Sequence, residues 1–178
     1  MEIPKLNEIY QGDALEVLKS WPDGFIDCVV TSPPYYGLRD YGVEGQIGLE
    51  KTLTKYLDKM LLITAELKRV LKKTGTMWWN HGDSYAGASS YDPNGRQGFS
   101  NTKTYTKEKT KGFPEKCLLL QAHRLAIRMI DEQGWILRNT LIWHKPNCMP
   151  SSVKDRFTVD YEPVFFFTKS KKYWFEPQ

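Results

Sequence analysis

The stretch Thr31-Ser32-Pro33-Pro34-Tyr35 sets a hydroxyl, two prolines and an aromatic ring in succession. Proline fixes φ and has no N–H, so the pair stiffens the backbone and leaves a surface rich in acceptors. Rigid acceptors beside an aromatic ring suit a planar amine: Ser32 Oγ and the Pro33 carbonyl accept its hydrogens while Tyr35 stacks on the heterocycle. Two plainer readings compete. One is a proline turn leaving a strand; the other is Pro33-Pro34-Tyr35-Tyr36 as a P-P-x-Y ligand for a WW-type domain. The latter requires an exposed, flexible segment, whereas an apolar run leads straight into the motif. Metal binding is not expected. His144 and Cys148 are spaced i, i+4, but His81, His123, Cys28 and Cys117 lie elsewhere and no C-x-x-C pair occurs.

The elements that must position this motif follow from periodicity. Residues 25–31 (F-I-D-C-V-V-T) are apolar and β-branched, bounded by Asp23-Gly24 and Pro33-Pro34, and predict a buried parallel strand ending at Ser32. Ligands of open α/β sheets bind beyond such carboxyl ends. Upstream, Asp13 is the expected N-cap of a short helix over 14–19. A glycine-rich loop, 37–48, leads to a long amphipathic helix over 52–73, with Leu53, Leu57, Met60, Leu61, Leu67, Val70 and Leu71 on one stripe and Gly75 as its C′ stop. Further strands are expected at 76–80, 135–144 and 164–168, with a short one at 173–175. A second helix is expected from Pro114-Glu115 to Gly134, with Leu118, Ala122, Leu125, Ala126, Met129 and Ile130 facing the core. Residues 81–114, rich in Gly, Ser, Thr, Tyr and Lys without apolar periodicity, read as a long mobile loop. The alternation predicts a single α/β domain with helices on both faces of the sheet.

Composition narrows the class. A chain of 178 residues, 40% apolar with 6 Trp, 10 Tyr and 8 Phe, can build a core and is not low-complexity. Its apolar runs, 118–120 and 164–167 among them, do not exceed four residues and fall far short of the roughly 20 residues that span a bilayer. No charged-then-apolar leader opens it, and three scattered cysteines argue against a disulfide scaffold, so a reducing cytoplasm is the expected compartment. The net charge of +4 divides unevenly: residues 1–50 sum to −6 and the remainder to +10. A basic part beside an acidic one suits a polyanion on one side, although solvated helix faces give the same count.

T-S-P-P-Y after a hydrophobic strand, with Gly12-Asp13 about twenty residues upstream, resembles the DNA amino-methyltransferases that modify N4 of cytosine or N6 of adenine. The order of segments is similar to their circularly permuted β class, found in restriction–modification systems. G-L-R-D-Y-G, Q-I-G-L-E, G-T-M-W-W-N and W-H-K-P-N-C-M-P-S-S-V-K-D-R extend the resemblance over essentially the whole chain. It implies a Rossmann-like methyltransferase sheet, mostly parallel with one antiparallel strand, S-adenosylmethionine as cofactor and double-stranded DNA as substrate, with a restriction endonuclease as a further partner at the same site. Ser32, Pro33, Pro34 and Tyr35 would be the catalytic group. Asp13, Thr31 and Ser32 would contact the cofactor, Asp13 near its adenosine part. Tyr36, Arg39, Lys145, Asn147, Ser151, Ser152 and Arg156 are the expected DNA contacts. Serine at the first motif position resembles the cytosine-N4 enzymes more than the adenine-N6 enzymes. Arg39, Asp40 and Tyr41 read either as a cover for a flipped base or as a solvent loop. Lys103, Lys107, Lys109, Lys111 and Lys116, with Tyr91, Phe99 and Tyr105, read as a nucleic-acid grip or as a solubilising loop.

The chain departs from the family at one point. Full-length members carry an F-x-G-x-G loop, and no G-x-G occurs in these 178 residues. In a permuted enzyme that loop follows the segments present here, so the sequence reads as the catalytic part of a longer enzyme with an incomplete sheet. Alone, it is expected to bind S-adenosylmethionine weakly or not at all. The competing reading from another class is a non-catalytic nucleic-acid-binding module. A third keeps the chemistry but takes RNA bases or amide side chains, which are also planar amines.

Overall fold

A computed structural model describes residues 3–87 and 110–176. Tyr91, Phe99, Lys103, Tyr105, Lys107 and Lys109, and most of the expected mobile loop, lie outside the described residues.

The elements run α1 (Ala14–Ser20), β1 (Ile26–Thr31), α2 (Leu53–Val70), β2 (Leu71–Asn80), α3 (Gln121–Gln133), β3 (Ile136–His144) and β4 (Tyr161–Thr168). Four strands form one sheet in the order β1-β2-β4-β3. β1 and β2 are parallel, and β4 runs antiparallel to both β2 and β3, so three strands share a direction and one opposes them, as expected. All of the predicted α2 stripe is buried, from Leu53 to Leu71. It packs with Leu18, Ala122, Leu125 and Met129 over Met77, Trp79, Phe165 and Phe167 in one continuous core.

Helices on both faces were expected; among the described residues they cover one. The other face carries Phe166, stacked on Trp78 at 4.4 Å with Tyr173 and Phe175 against it. Beside them lies an apolar groove of about 560 Å³ lined by Val30, Trp78, Trp143 and Val164. β1, predicted to be buried, is a sheet edge with Val30 78% exposed, and Cys28 is exposed with it. Residues 173–175, expected as a strand, supply rings to this face instead.

Three boundaries differ from the periodic reading. α2 ends at Val70 without glycine, because β2 begins at Leu71 to pair with Ile26. Gly75 therefore lies inside β2, where a Cβ would meet the Leu71 side chain at 2.7 Å and the Asp27 carbonyl at 2.9 Å. α3 starts at Gln121, not at Pro114, because residues 84–86 bond across to 117–119 (Ala86 N–H to Cys117 O, 2.7 Å; Leu119 N–H to Ser84 O, 2.9 Å) and hold that stretch extended. Leu119 is thereby the buried residue in place of Leu118, and Ile130 is partly exposed.

Candidate active site

The diproline corner leaves β1 at its carboxyl end and folds back under its own loop. Gly37 N–H donates to the Gly48 carbonyl at 2.8 Å, closing the glycine-rich segment. Gly48 has φ +100°, and a Cβ there would stand 2.9 Å from the Tyr35 carbonyl, so glycine is required both by backbone conformation and by space. Ser32, Pro33, Pro34 and Tyr35 line a cavity of about 290 Å³ together with Leu38, Arg39, Tyr41 and Glu162.

Around the Tyr35 hydroxyl the polar groups converge from three strands. The phenol O–H faces Asn80 Oδ1 at 2.8 Å and Glu162 Oε2 at 3.2 Å. Ser32 Oγ lies 3.0 Å from the phenol oxygen and donates to Asn80 Oδ1 at 3.1 Å. Asn80 Oδ1 and the Tyr35 oxygen are both acceptors within reach of the one Ser32 hydrogen, and the residue lines the cavity. Lys145 bonds the other carboxylate oxygen of Glu162. Burial pushes the Glu162 carboxyl up, but the hydrogen bond and charge of the Lys145 ammonium outweigh it and hold the group below its ordinary value. Burial raises the Tyr35 phenol, which stays protonated at neutral pH.

On its other side Tyr35 rests on the buried end of β2. The His81 ring is stacked on it, centroids 5.1 Å apart and planes 15° from parallel. Gly82 makes room: a Cβ there would be 2.6 Å from Tyr35 Cε2.

The structure sorts the predicted site residues. Asp13 caps α1, its Oδ1 accepting from Leu15 N–H at 3.0 Å and Glu16 N–H at 3.2 Å. Its neighbours Gly12 and Ala14 share a cleft of about 550 Å³ with Thr31, Ser32 and Pro33. Tyr36, expected as a DNA contact, is wholly buried against Tyr56, with burial pushing its phenol up to about 12. Lys145, expected on phosphate, is paired with Glu162. Arg156 lies over the Tyr85 ring at 3.7 Å. Asn147, Ser151 and Ser152 are exposed in the segment between β3 and β4, and Arg39 is exposed at the cavity rim. Among the described residues, no three metal-ligating side chains come together, and no helix is long and apolar enough to cross a membrane.

Asn80, His81, Gly82 and Glu162 were not among the site residues expected from the sequence. Asn80 ends the buried β2 and His81-Gly82 follow it, much as Ser32 follows β1, and that position was an available signal. Glu162 stands near the start of β4, and only the antiparallel direction of β4 brings it to the ends of β1 and β2.

Residues 26–178 match the model of the N6/N4 methyltransferase family, described as DNA methylase. The chain belongs to the DNA methylase family. This methylase chain is 43% identical over 169 residues to the type II methyltransferase M.Cfr9I of Citrobacter freundii, a match covering 94% of it and 56% of that protein. Among solved structures it is similar to the PvuII DNA methyltransferase, named as cytosine-N4-specific (TM-score 0.62, 25% identity, 92% of this chain and 49% of that one). It also shares its fold with a putative DNA modification methylase of Thermus thermophilus, complexed with S-adenosyl-L-methionine (TM-score 0.59, 23% identity, 94% and 55%). The chain thus spans about half the length of these relatives.

Proposed function

We propose that this chain carries the catalytic corner of an S-adenosylmethionine-dependent methyltransferase acting on an exocyclic amine of double-stranded DNA, cytosine N4 in preference to adenine N6. The observation that carries the reading is Ser32. Its hydroxyl, within hydrogen-bond reach of Asn80 Oδ1 and the Tyr35 oxygen, lines a cavity walled by the two prolines and Tyr35.

An exocyclic amine is a weak nucleophile because its lone pair is conjugated into the base. Ser32 Oγ and the Pro33 carbonyl accept its two hydrogens and hold them out of the ring plane, which returns the lone pair to nitrogen. Bound S-adenosylmethionine would supply the methyl to that nitrogen, which would then lose one proton to solvent water. Positioning and electrostatic support accomplish this without a covalent enzyme intermediate. The base must leave the duplex to reach the cavity, and Tyr35 is its stacking surface.

The cofactor supplies the electrophilic methyl. The groups present fit it in kind: hydroxyls of Thr31 and Ser32 and an acidic side chain at Glu8 border the cleft next to the corner, with Asp13 beside it. Arg39, Asn147, Ser151, Ser152 and Arg156 remain the proposed DNA contacts, and an endonuclease of the same site the proposed further partner.

The test is transfer of labelled methyl from the cofactor to unmethylated DNA by the full-length protein, with digestion of the product to nucleosides. N4-methylcytosine is expected, with loss of about a hundredfold or more in kcat for Ser32→Ala. Transfer that survives Ser32→Ala overturns the catalytic reading. Steeply salt-dependent DNA binding without any transfer returns the non-catalytic module.

A further inference from the structure

Beneath Tyr35 the hydrogens of a buried polar cluster can be counted. Trp79 Nε1 only donates, so its 3.1 Å contact makes His81 Nδ1 an acceptor. The neutral imidazole then carries its proton on Nε2, which faces the Tyr56 oxygen at 3.1 Å. Tyr56 in turn donates to the Pro34 carbonyl at 2.9 Å. A second branch holds the next residue: Tyr36 N–H donates to Gln121 Oε1 at 2.7 Å, Gln121 Nε2 to Ser84 Oγ at 3.0 Å, and Ser84 Oγ to the Tyr36 carbonyl at 3.3 Å. Three backbone groups of the corner are therefore fixed from below by side chains whose directions all agree.

His81 is the junction. It is fully buried, it covers one face of the Tyr35 ring, and it orders Tyr56. The opposite face of Tyr35 is the one left for a heterocycle. A proton on Nδ1 would set a donor against the Trp79 donor, and burial holds the imidazole neutral, with its pKa pushed down to about 4.

We propose that His81 is a positioning residue. As a neutral Nε2–H imidazole it fixes the plane of Tyr35 by stacking and, through Tyr56, the backbone at Pro34, so that the aromatic surface and the corner that carries it are set before a base arrives. This rests on the methyl-transfer reading given above, and the test separates the two. Two-bond proton–nitrogen NMR of the imidazoles should show one histidine as the Nε2–H tautomer, unchanged from pH 8 to pH 5 and missing from His81→Gln. An Nδ1–H tautomer, or titration near pH 6.5, overturns the proposal. Tyr56→Phe removes only the hydroxyl. In the full-length protein it should lower kcat about tenfold while leaving KM for DNA within twofold. Lowered melting temperature with unchanged kcat would make the cluster merely structural and overturn the placing role. Should even the unsubstituted protein transfer no methyl, the functional reading fails by itself. The carbon-13 shift of the Pro34 carbonyl then decides: Tyr56→Phe removes its hydrogen-bond donor and should move that shift, and an unchanged shift refutes the anchor.

Discussion

Beneath the Tyr35 ring, His81, Tyr56 and Gln121 are neutral side chains with 0% exposure, whereas beside its hydroxyl Glu162 and Lys145 form a charged pair that solvent reaches. Both sets bond the same corner, and they do so on different terms. In the buried set no water competes, every direction is determined by its neighbours, and a missing hydrogen bond leaves an uncompensated group. In the open set water can replace a partner and salt screens the charge, so the loss of one member is tolerated. The corner thus has a fixed underside and an adjustable rim, the arrangement a pocket needs if one fixed geometry must admit a base and let it go.

The strongest way to break that contrast is at Gly82, where the added Cβ of Gly82→Ala stands 2.6 Å from the Tyr35 ring. Neither the His81 stack nor the Gly82 backbone can yield easily, so the ring must tilt into the cavity. Methyl transfer by the full-length protein should fall by about a hundredfold or more with the fold retained by circular dichroism, because a misplacement of about 1 Å costs that much. A variant as active as the parent would show that the underside is not fixed.

Next in size is the pH dependence of stability. His81 is driven from its ordinary 6.5 to about 4 by burial, with the Gln121 hydrogen bond and Glu162 opposing and His123 reinforcing the shift. Its folded pKa lies below the unfolded one, so the unfolded chain takes up the proton first as the pH falls. The stability associated with neutral His81 is complete above about pH 6.5 and is lost progressively down to about pH 4. Over that window the loss is about 3 kcal/mol. Denaturant midpoints of parent and His81→Gln should diverge in slope across this range; parallel curves would mean that His81 titrates normally.

The smallest effect is expected at the rim. Lys145→Ala frees the Glu162 carboxyl from the ion pair that lowers it. The acid limb of the pH–rate profile should move upward and the rate near neutrality should drop only about threefold. The salt dependence of DNA binding should keep its slope. A slope reduced by about one would instead assign Lys145 to a phosphate.

Much of the architecture was legible along the chain. The α2 stripe, the Asp13 cap and the apolar run into Ser32-Pro33-Pro34-Tyr35 are local patterns, set by helical and extended periodicity and by the fixed φ of proline. Gly75 was misread as a helix stop because a glycine after an apolar stripe has the same local appearance whether it ends a helix or clears space inside a strand. Tyr36 was misread as a surface residue because its neighbour in the motif faces the cavity, and nothing local says which of two adjacent tyrosines is turned inward.

The amino-acid order by itself determined the chemistry on offer at the corner: a hydroxyl, two stiff carbonyl-bearing residues and an aromatic ring at the end of a strand. Only the tertiary structure decided what holds them. Tyr35 meets Asn80 across 45 residues and Glu162 across 127. Such partners are chosen by strand order and direction, which depend on the burial of whole faces and leave no periodic trace near either residue.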